Sequence, residues 1–139
     1  MFPAMDIATS GLVAQRSRIN VLAGNLANIS TTHNEQGERA PYQPKYVVFQ
    51  ADESIGAQGA SGVKISSIET LDVEPRLKYE PNNPDAIQED ANKGYVAYPN
   101  VNMMIEFTDA IEAARAYEAN LGAIEITKNL EQQTLRILV

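Results

Sequence analysis

The sequence predicts an α+β fold: N- and C-terminal helices forming an antiparallel coiled-coil-like pair, with a small β-rich segment inserted between them. Three observations carry this expectation. Apolar residues recur every seven positions at both ends of the 139-residue chain. Runs of β-branched and aromatic residues occupy the middle. All seven prolines avoid the interiors of the end stretches, where proline would remove a backbone N–H and clash with the preceding turn. The division expected is residues 1–32 as an N-terminal helical segment, 33–100 as a β-rich insert with loops, and 101–139 as a C-terminal helical segment.

At the N-terminal end, Met5, Leu12, Ile19 and Leu26 repeat every seven residues, with Ala8, Gln15, Leu22 and Ile29 three further on. That spacing makes a narrow helical seam. Arg16 and Arg18 lie off it. Gly11 and Gly24 each cost the helix about 1 kcal/mol relative to alanine. Asn20, Asn25 and Asn28 crowd the end of the stretch. Asparagine competes for backbone hydrogen bonds. The cluster is therefore either an exposed, fraying helix end or a set of amides bonded to neighbouring helices in an assembly, where a polar residue fixes register at a cost in stability. The polar run from Ser30 to Gly37 ends the pattern.

The insert reads as short strands at Tyr46–Gln50, Val63–Ile68, Leu77–Tyr79 and Gly94–Tyr98. Gly56 to Gly62 and Pro81 to Pro84 mark loops between them. In the C-terminal stretch Phe107, Ala114, Leu121 and Leu135 share one register, broken by Lys128. Met103, Ala110, Tyr117, Ile124 and Leu138 share the companion register, broken by Glu131. Asn102 suits an N-cap, and Glu106, Asp109 and Glu112 place negative charge near the positive end of the helix. Ile126, Leu130 and Ile137 form a second apolar line, so the last two turns can meet partners on more than one side.

Composition removes several chemistries. The chain has no cysteine, so no disulfide, thiolate metal site or thiol nucleophile. Its single histidine, His33, precludes a multi-histidine metal site within one chain. The net charge of −7 argues against nucleic acid, whose phosphates need clustered cations. The acidity belongs to the insert and the C-terminal segment, since residues 1–40 balance three cations against three anions. No apolar run reaches the ~20 residues of a membrane span. Met1 to Gly11 lacks a basic start and a following apolar run, so no cleaved signal peptide is expected.

Motifs for catalysis are weak. His33 with Glu35 and Glu38 is better read as a solvated loop than as a metal site, because it has no fixed element beneath it. A serine or threonine triad around His33 has no Gly-x-Ser-x-Gly elbow to support it. Gly56 to Gly62 lacks the Gly-Lys-Ser/Thr ending of a phosphate loop. The pairs Asp52-Glu53 and Glu89-Asp90 read as solvated surface. The sequon at Asn28-Ile-Ser30 is too short to carry weight. No enzyme activity, cofactor, metal or small-molecule substrate is expected.

The ends point elsewhere. Each helix has a narrow seam, is weakened by glycine, and lacks the broad apolar face of a helix in a large core. An antiparallel pair with the insert at its far end uses one side of each helix. Further copies can use the rest, and a heterologous contact that does not close gives a helical filament.

Ser10-Gly-Leu12, Gln15, Arg18 and Asn25-Leu-Ala-Asn28 followed by Thr31 resemble the N-terminal signature of bacterial flagellar rod and hook proteins. Pro41-Tyr42, Lys45, Val47 to Gln50, Gly62-Val63, Tyr79-Glu-Pro81, Asn83-Pro84, Lys93 to Val96 and Pro99 to Asn102 resemble the proximal-rod branch of that family. So do Ala114-Arg-Ala-Tyr-Glu-Ala-Asn120 and Thr134-Leu135. The resemblance implies a structural subunit of the flagellar basal body that serves motility. Such a subunit is a type III export substrate and assembles helically across the periplasm through its terminal helices. Its expected partners are copies of itself, other rod proteins, and export-gate and inner-membrane ring components. The absence of cysteine fits passage through a narrow channel into an oxidising space.

The resemblance places the assembly interface on both helices. From the N-terminal seam and motif it takes Leu12, Ile19, Leu22, Asn25, Leu26, Asn28 and Ile29. From the C-terminal helix it takes Phe107, Ala114, Leu121, Ile124, Leu135 and Leu138, with Arg115, Tyr117, Glu118 and Asn120 as polar contacts between subunits. The competing expectation is a soluble helical binding module or export chaperone, which would form one discrete heteromeric complex and no polymer. A small enzyme using the acidic insert has no feature in its favour.

Overall fold

The computed structural model describes residues 3–56, 59–88 and 91–137, the last of these without its side chain. Helix α1 spans Pro3–Ala27 and helix α2 spans Met103–Ile137. Between them run β1 (Lys45–Asp52), β2 (Gly62–Thr70), β3 (Arg76–Tyr79) and β4 (Tyr95–Tyr98). The layout is the expected α+β one, with the helices paired antiparallel. Proline starts α1, where its missing N–H costs nothing. The Asn102 side-chain oxygen starts α2, accepting from the N–H groups of Met104 (3.0 Å) and Ile105 (3.4 Å). None of the described helices is long and apolar enough to cross a membrane.

The strands form two separate antiparallel hairpins rather than one sheet. In the first, Lys45 pairs with Thr70 and Asp52 with Gly62, with a register shift between Val48 and Phe49. This hairpin packs on α1. Val63 N–H donates to the Ser10 hydroxyl (3.0 Å), which itself donates to the Ile7 carbonyl (2.7 Å). In the second, Arg76 pairs with Tyr98 and Tyr79 with Tyr95, and those two tyrosine rings meet edge to face at 5.1 Å. Gly94 turns into β4 at φ 84°, and a Cβ there would sit 2.9 Å from the Tyr79 ring. Both the backbone and the space at this turn require glycine.

The second hairpin is tied to the loop that follows α1. Arg39 donates to the carbonyls of Ala86 (3.1 Å) and Pro84 (3.1 Å), and Thr32 donates to Asp85 (2.8 Å). His33 bridges to Arg39 through the backbone and sits half-buried beside Asp85. The loop around His33 is therefore docked rather than freely solvated as the sequence reading had it. Glu35 and Glu38 are exposed, and Glu38 accepts from the Asn34 amide (2.9 Å). Asp52 forms a local turn, its carboxylate accepting from the Ser54 hydroxyl (2.6 Å) and N–H (3.1 Å). Glu89 and Asp90 lie outside the described residues.

Candidate assembly interface

The two helices meet through small residues. Ala8 and Ala14 of α1 and Ala113 of α2 are buried, Ala113 completely. Gly11 lies so close to Asn120 that a Cβ would come within 2.8 Å of its amide nitrogen. Leu22 is the one large aliphatic of α1 that is buried among the described residues. The line Ala8, Gly11, Ala14, Arg18, Leu22, Asn25 keeps a period of three or four, so it is one helix face. Arg18 crosses to α2, 3.5 Å from Glu112 and 3.7 Å from Asp109. Both pairs are largely open to water, and such pairs contribute at most about 1 kcal/mol.

Where the pair reaches the insert, Asn25 is only 2% exposed, and its amide is fully engaged. Its Oδ1 accepts from the Lys45 N–H (2.9 Å) and from the Tyr42 hydroxyl (3.0 Å). Its Nδ2 donates to the Lys45 carbonyl (2.8 Å) and to Glu106 (3.0 Å). One side chain thus joins α1, α2, the first strand and the preceding loop. Burial chiefly, and the nearby Glu106 carboxylate in addition, push the Tyr42 hydroxyl pKa up, so it stays a neutral donor. Glu106 was expected to serve the helix dipole, and it also receives this amide. Asn28 closes the end of α1: its Nδ2 donates to the Gly24 carbonyl (2.9 Å) and its Oδ1 accepts from Thr31 (3.0 Å). Of the two readings of the asparagine cluster, neither describes Asn25. Its bonds go to the other helix and the first strand of its own chain.

The remaining expected interface residues flank this contact face. On α1, Leu12, Ile19, Leu26 and Ile29 are half-buried. On α2, Ala114, Tyr117, Asn120 and Ile124 are half-buried, whereas Arg115, Glu118, Leu121 and Phe107 are exposed. Leu135 is 64% exposed, and Leu138 lies outside the described residues. Leu12, Leu26 and Leu121 thus sit beside the intrachain seam, whereas Leu22 lies in it. The residues missed by the sequence reading are Gly11, Ala14, Ala113 and Tyr42. Alanine and glycine carry little hydropathy, so only the three-four spacing of small residues could have marked that face.

Known proteins resemble the chain from end to end. A family model described as flagella basal body rod protein matches residues 5–33, the α1 segment with its asparagine cluster. Another, for the C-terminal part of flagellar basal body rod FlgEFG proteins, matches residues 92–137. The flagellar basal-body rod protein FlgC of Salmonella typhimurium is 42% identical over 95% of this chain and 93% of its own length. The chain belongs to the FlgC family of flagellar basal-body rod proteins. FlgC of Borreliella burgdorferi is 37% identical over 99% of the chain and 97% of its own. FlgC of Bacillus subtilis is 37% identical over 98% and 97% respectively. This likeness to structural rod proteins identifies a FlgC-family structural subunit rather than an enzyme, and it does not favour the chaperone alternative.

Proposed function

We propose that the chain polymerises helically through its terminal helices as a subunit of the proximal rod. In that role it crosses the periplasm, surrounds the export channel and transmits torque. The observation that carries this reading is the inverted distribution of apolar side chains. Apart from alanine, the buried hydrophobic residues among those described are Leu22, Val96 and Val101, while Phe107, Ile111, Leu121, Ile126, Leu130 and Leu135 stand exposed on α2. Burying one such side chain contributes about 1.5–3 kcal/mol, so the free chain leaves much of its stabilisation unrealised. Copies of the chain supply the missing surface, and other rod proteins, export-gate and inner-membrane ring components are its further neighbours.

The interface assigned to Leu12, Ile19, Leu26, Phe107, Leu121 and Leu135 suits this reading, because these residues border the helix pair and reach beyond it. Leu26→Asp and Leu121→Asp place a charge on the border of each helix and leave the hairpins untouched. Each variant is expected to be lost from isolated basal bodies and to abolish motility, with the strand content of the purified chain unchanged by circular dichroism. Normal motility in both variants would overturn the proposal.

A further inference from the structure

The second hairpin is carried by loops. Among the described residues, neither β3 nor β4 lies against a helix or against the first hairpin. Two side-chain attachments join this part of the chain to the loop after α1. In one, Gln43 and Val73 exchange bonds: Nε2 donates to the Val73 carbonyl (3.3 Å), and the Val73 N–H donates to Oε1 (3.2 Å). The other is the docking of Thr32, His33 and Arg39 on residues 84–86. Arg39 meets backbone carbonyls there, which leaves the Asp85 carboxylate to Thr32 and His33. Asp85 is itself held in place, because Asn83 Oδ1 accepts from its N–H (3.0 Å) while Asn83 Nδ2 donates to Glu80 (2.9 Å).

The hydrogens of this cluster follow from counting donors. The Thr32 hydroxyl has one hydrogen and two neighbours, Asp85 Oδ2 at 2.8 Å and His33 Nδ1 at 3.0 Å. An ionised carboxylate only accepts, so the hydrogen goes to Asp85. The hydroxyl oxygen then accepts from His33, and Nδ1 carries the ring proton. Neutral histidine has one N–H, so its Nε2 is a bare acceptor. That nitrogen faces the other carboxylate oxygen, Asp85 Oδ1, at 3.7 Å. Two acceptors thus oppose each other at more than hydrogen-bond distance. A proton on Nε2 turns the repulsion into a charge-assisted bond and leaves both Asp85 oxygens paired.

We infer that Thr32, His33 and Asp85 form a pH-sensitive latch, which protonation of His33 closes and loss of that proton loosens. Closed, it fastens the second hairpin to the loop after α1. The other titratable groups around His33 are Glu35, Glu38 and Arg39 of its own loop, and Tyr42 and Lys45, which line the groove beside it. Behind Asp85, the Tyr98 hydroxyl donates to Glu80 (3.0 Å), which Lys78 also meets. The Tyr98 pKa is raised first by its bond to Glu80 and last by the Asp85 charge. Of these residue types, only histidine ordinarily changes charge between about pH 5 and pH 8. The latch is therefore tight on the acid side of that range and loose on the alkaline side. The His33 and Asp85 side chains are 37% and 30% exposed, so the change is that of a solvent-screened pair, about two- to fivefold in the opening equilibrium. The helix pair is joined elsewhere, at Gly11 with Asn120 and at Asn25 with Glu106, and does not respond.

His33 is the single histidine of the chain, so its ring signal is unambiguous. Nitrogen magnetic resonance of the full chain at about pH 8 is expected to show Nδ1 protonated and Nε2 bare. Thr32→Val is expected to restore the Nε2-protonated form that free histidine prefers. An Nε2-protonated ring in the native chain overturns the latch. Amide exchange reads its closure through Ala86 and Ile87, whose N–H groups donate to the carbonyls of Asn83 (3.0 Å) and Tyr95 (2.9 Å). Relative to unfolded-chain rates, their protection is expected to be about two- to fivefold greater at about pH 5.5 than at about pH 8, with no such change in α1. His33→Gln is expected to remove the difference. Asp85→Asn is expected to abolish or reverse it, because its amide can donate to the bare Nε2. Equal protection of the native chain at the two pH values, or survival of the native difference in either variant, overturns the latch. Both pH values lie above the window set by Glu80, between 4.5 and about 2, so the two effects are read separately.

Discussion

At the residue scale, Asn25 has the largest structural role relative to its size. A buried amide in an apolar helix is costly unless every polar atom is paired, and here all its partners are in place. Asn25→Ala would strand the Lys45 backbone groups and the Tyr42 hydroxyl at a site that water reaches only in part. The expected loss is roughly 2–3 kcal/mol, since each unsatisfied buried group costs about 1–3 kcal/mol and some regain water. Urea denaturation of the free chain measures it, and a change under about 0.5 kcal/mol, the scale of an ordinary surface substitution, would refute the role. The presence of something unusual here was legible in the sequence, from three asparagines in a helical stretch. Their individual partners were not, because Tyr42, Lys45 and Glu106 become neighbours only once the insert folds back on α1.

At the scale of elements, the second hairpin has its own polar centre. Glu80 accepts from Lys78 (2.6 Å), from the Asn83 amide (2.9 Å) and from the Tyr98 hydroxyl (3.0 Å). The Lys78 contact first, then the other two donors, hold its pKa down from 4.5 to about 2. A folded-state pKa below the unfolded one gives stability that is present above 4.5 and lost as pH falls through the folded value. The hairpin should therefore loosen between about pH 4.5 and pH 2. Amide exchange of residues 76–79 and 95–98 reads this, and Glu80→Gln should flatten the pH dependence in that window. An unchanged profile in the variant would contradict it.

The elements themselves were well marked in the sequence. Proline placement bounded both helices, and alternating β-branched and aromatic runs located all four strands. Pairing was less legible. Short strands separated by long loops fit one sheet or two equally well, and it is the docking of Arg39, Thr32 and His33 on the 84–86 segment that ties the second hairpin to the loop after α1. The contact face of the helices was misplaced by about a quarter turn. The heptad leucines drew attention to a seam, but the close approach at Gly11 and Ala113 favours small side chains.

At the scale of the whole molecule, the scarcity of large buried side chains among the described residues supports the proposal that neighbours complete the chain. Helix α1 gives one face to α2 and another to the first hairpin, and α2 keeps most of its circumference for others. That arrangement gives the family's rod role a physical basis. The free subunit is held by polar hubs and small-residue contacts, and in the proposed assembly neighbours add the apolar burial. The most direct measurement is an electron cryomicroscopy map of isolated basal bodies with this chain built into it. The account predicts the chain in the rod, its two helices packed against helices of neighbouring subunits along the channel and both hairpins on the outside. A chain located away from the rod, or one whose exposed α2 residues face only solvent there, would contradict it.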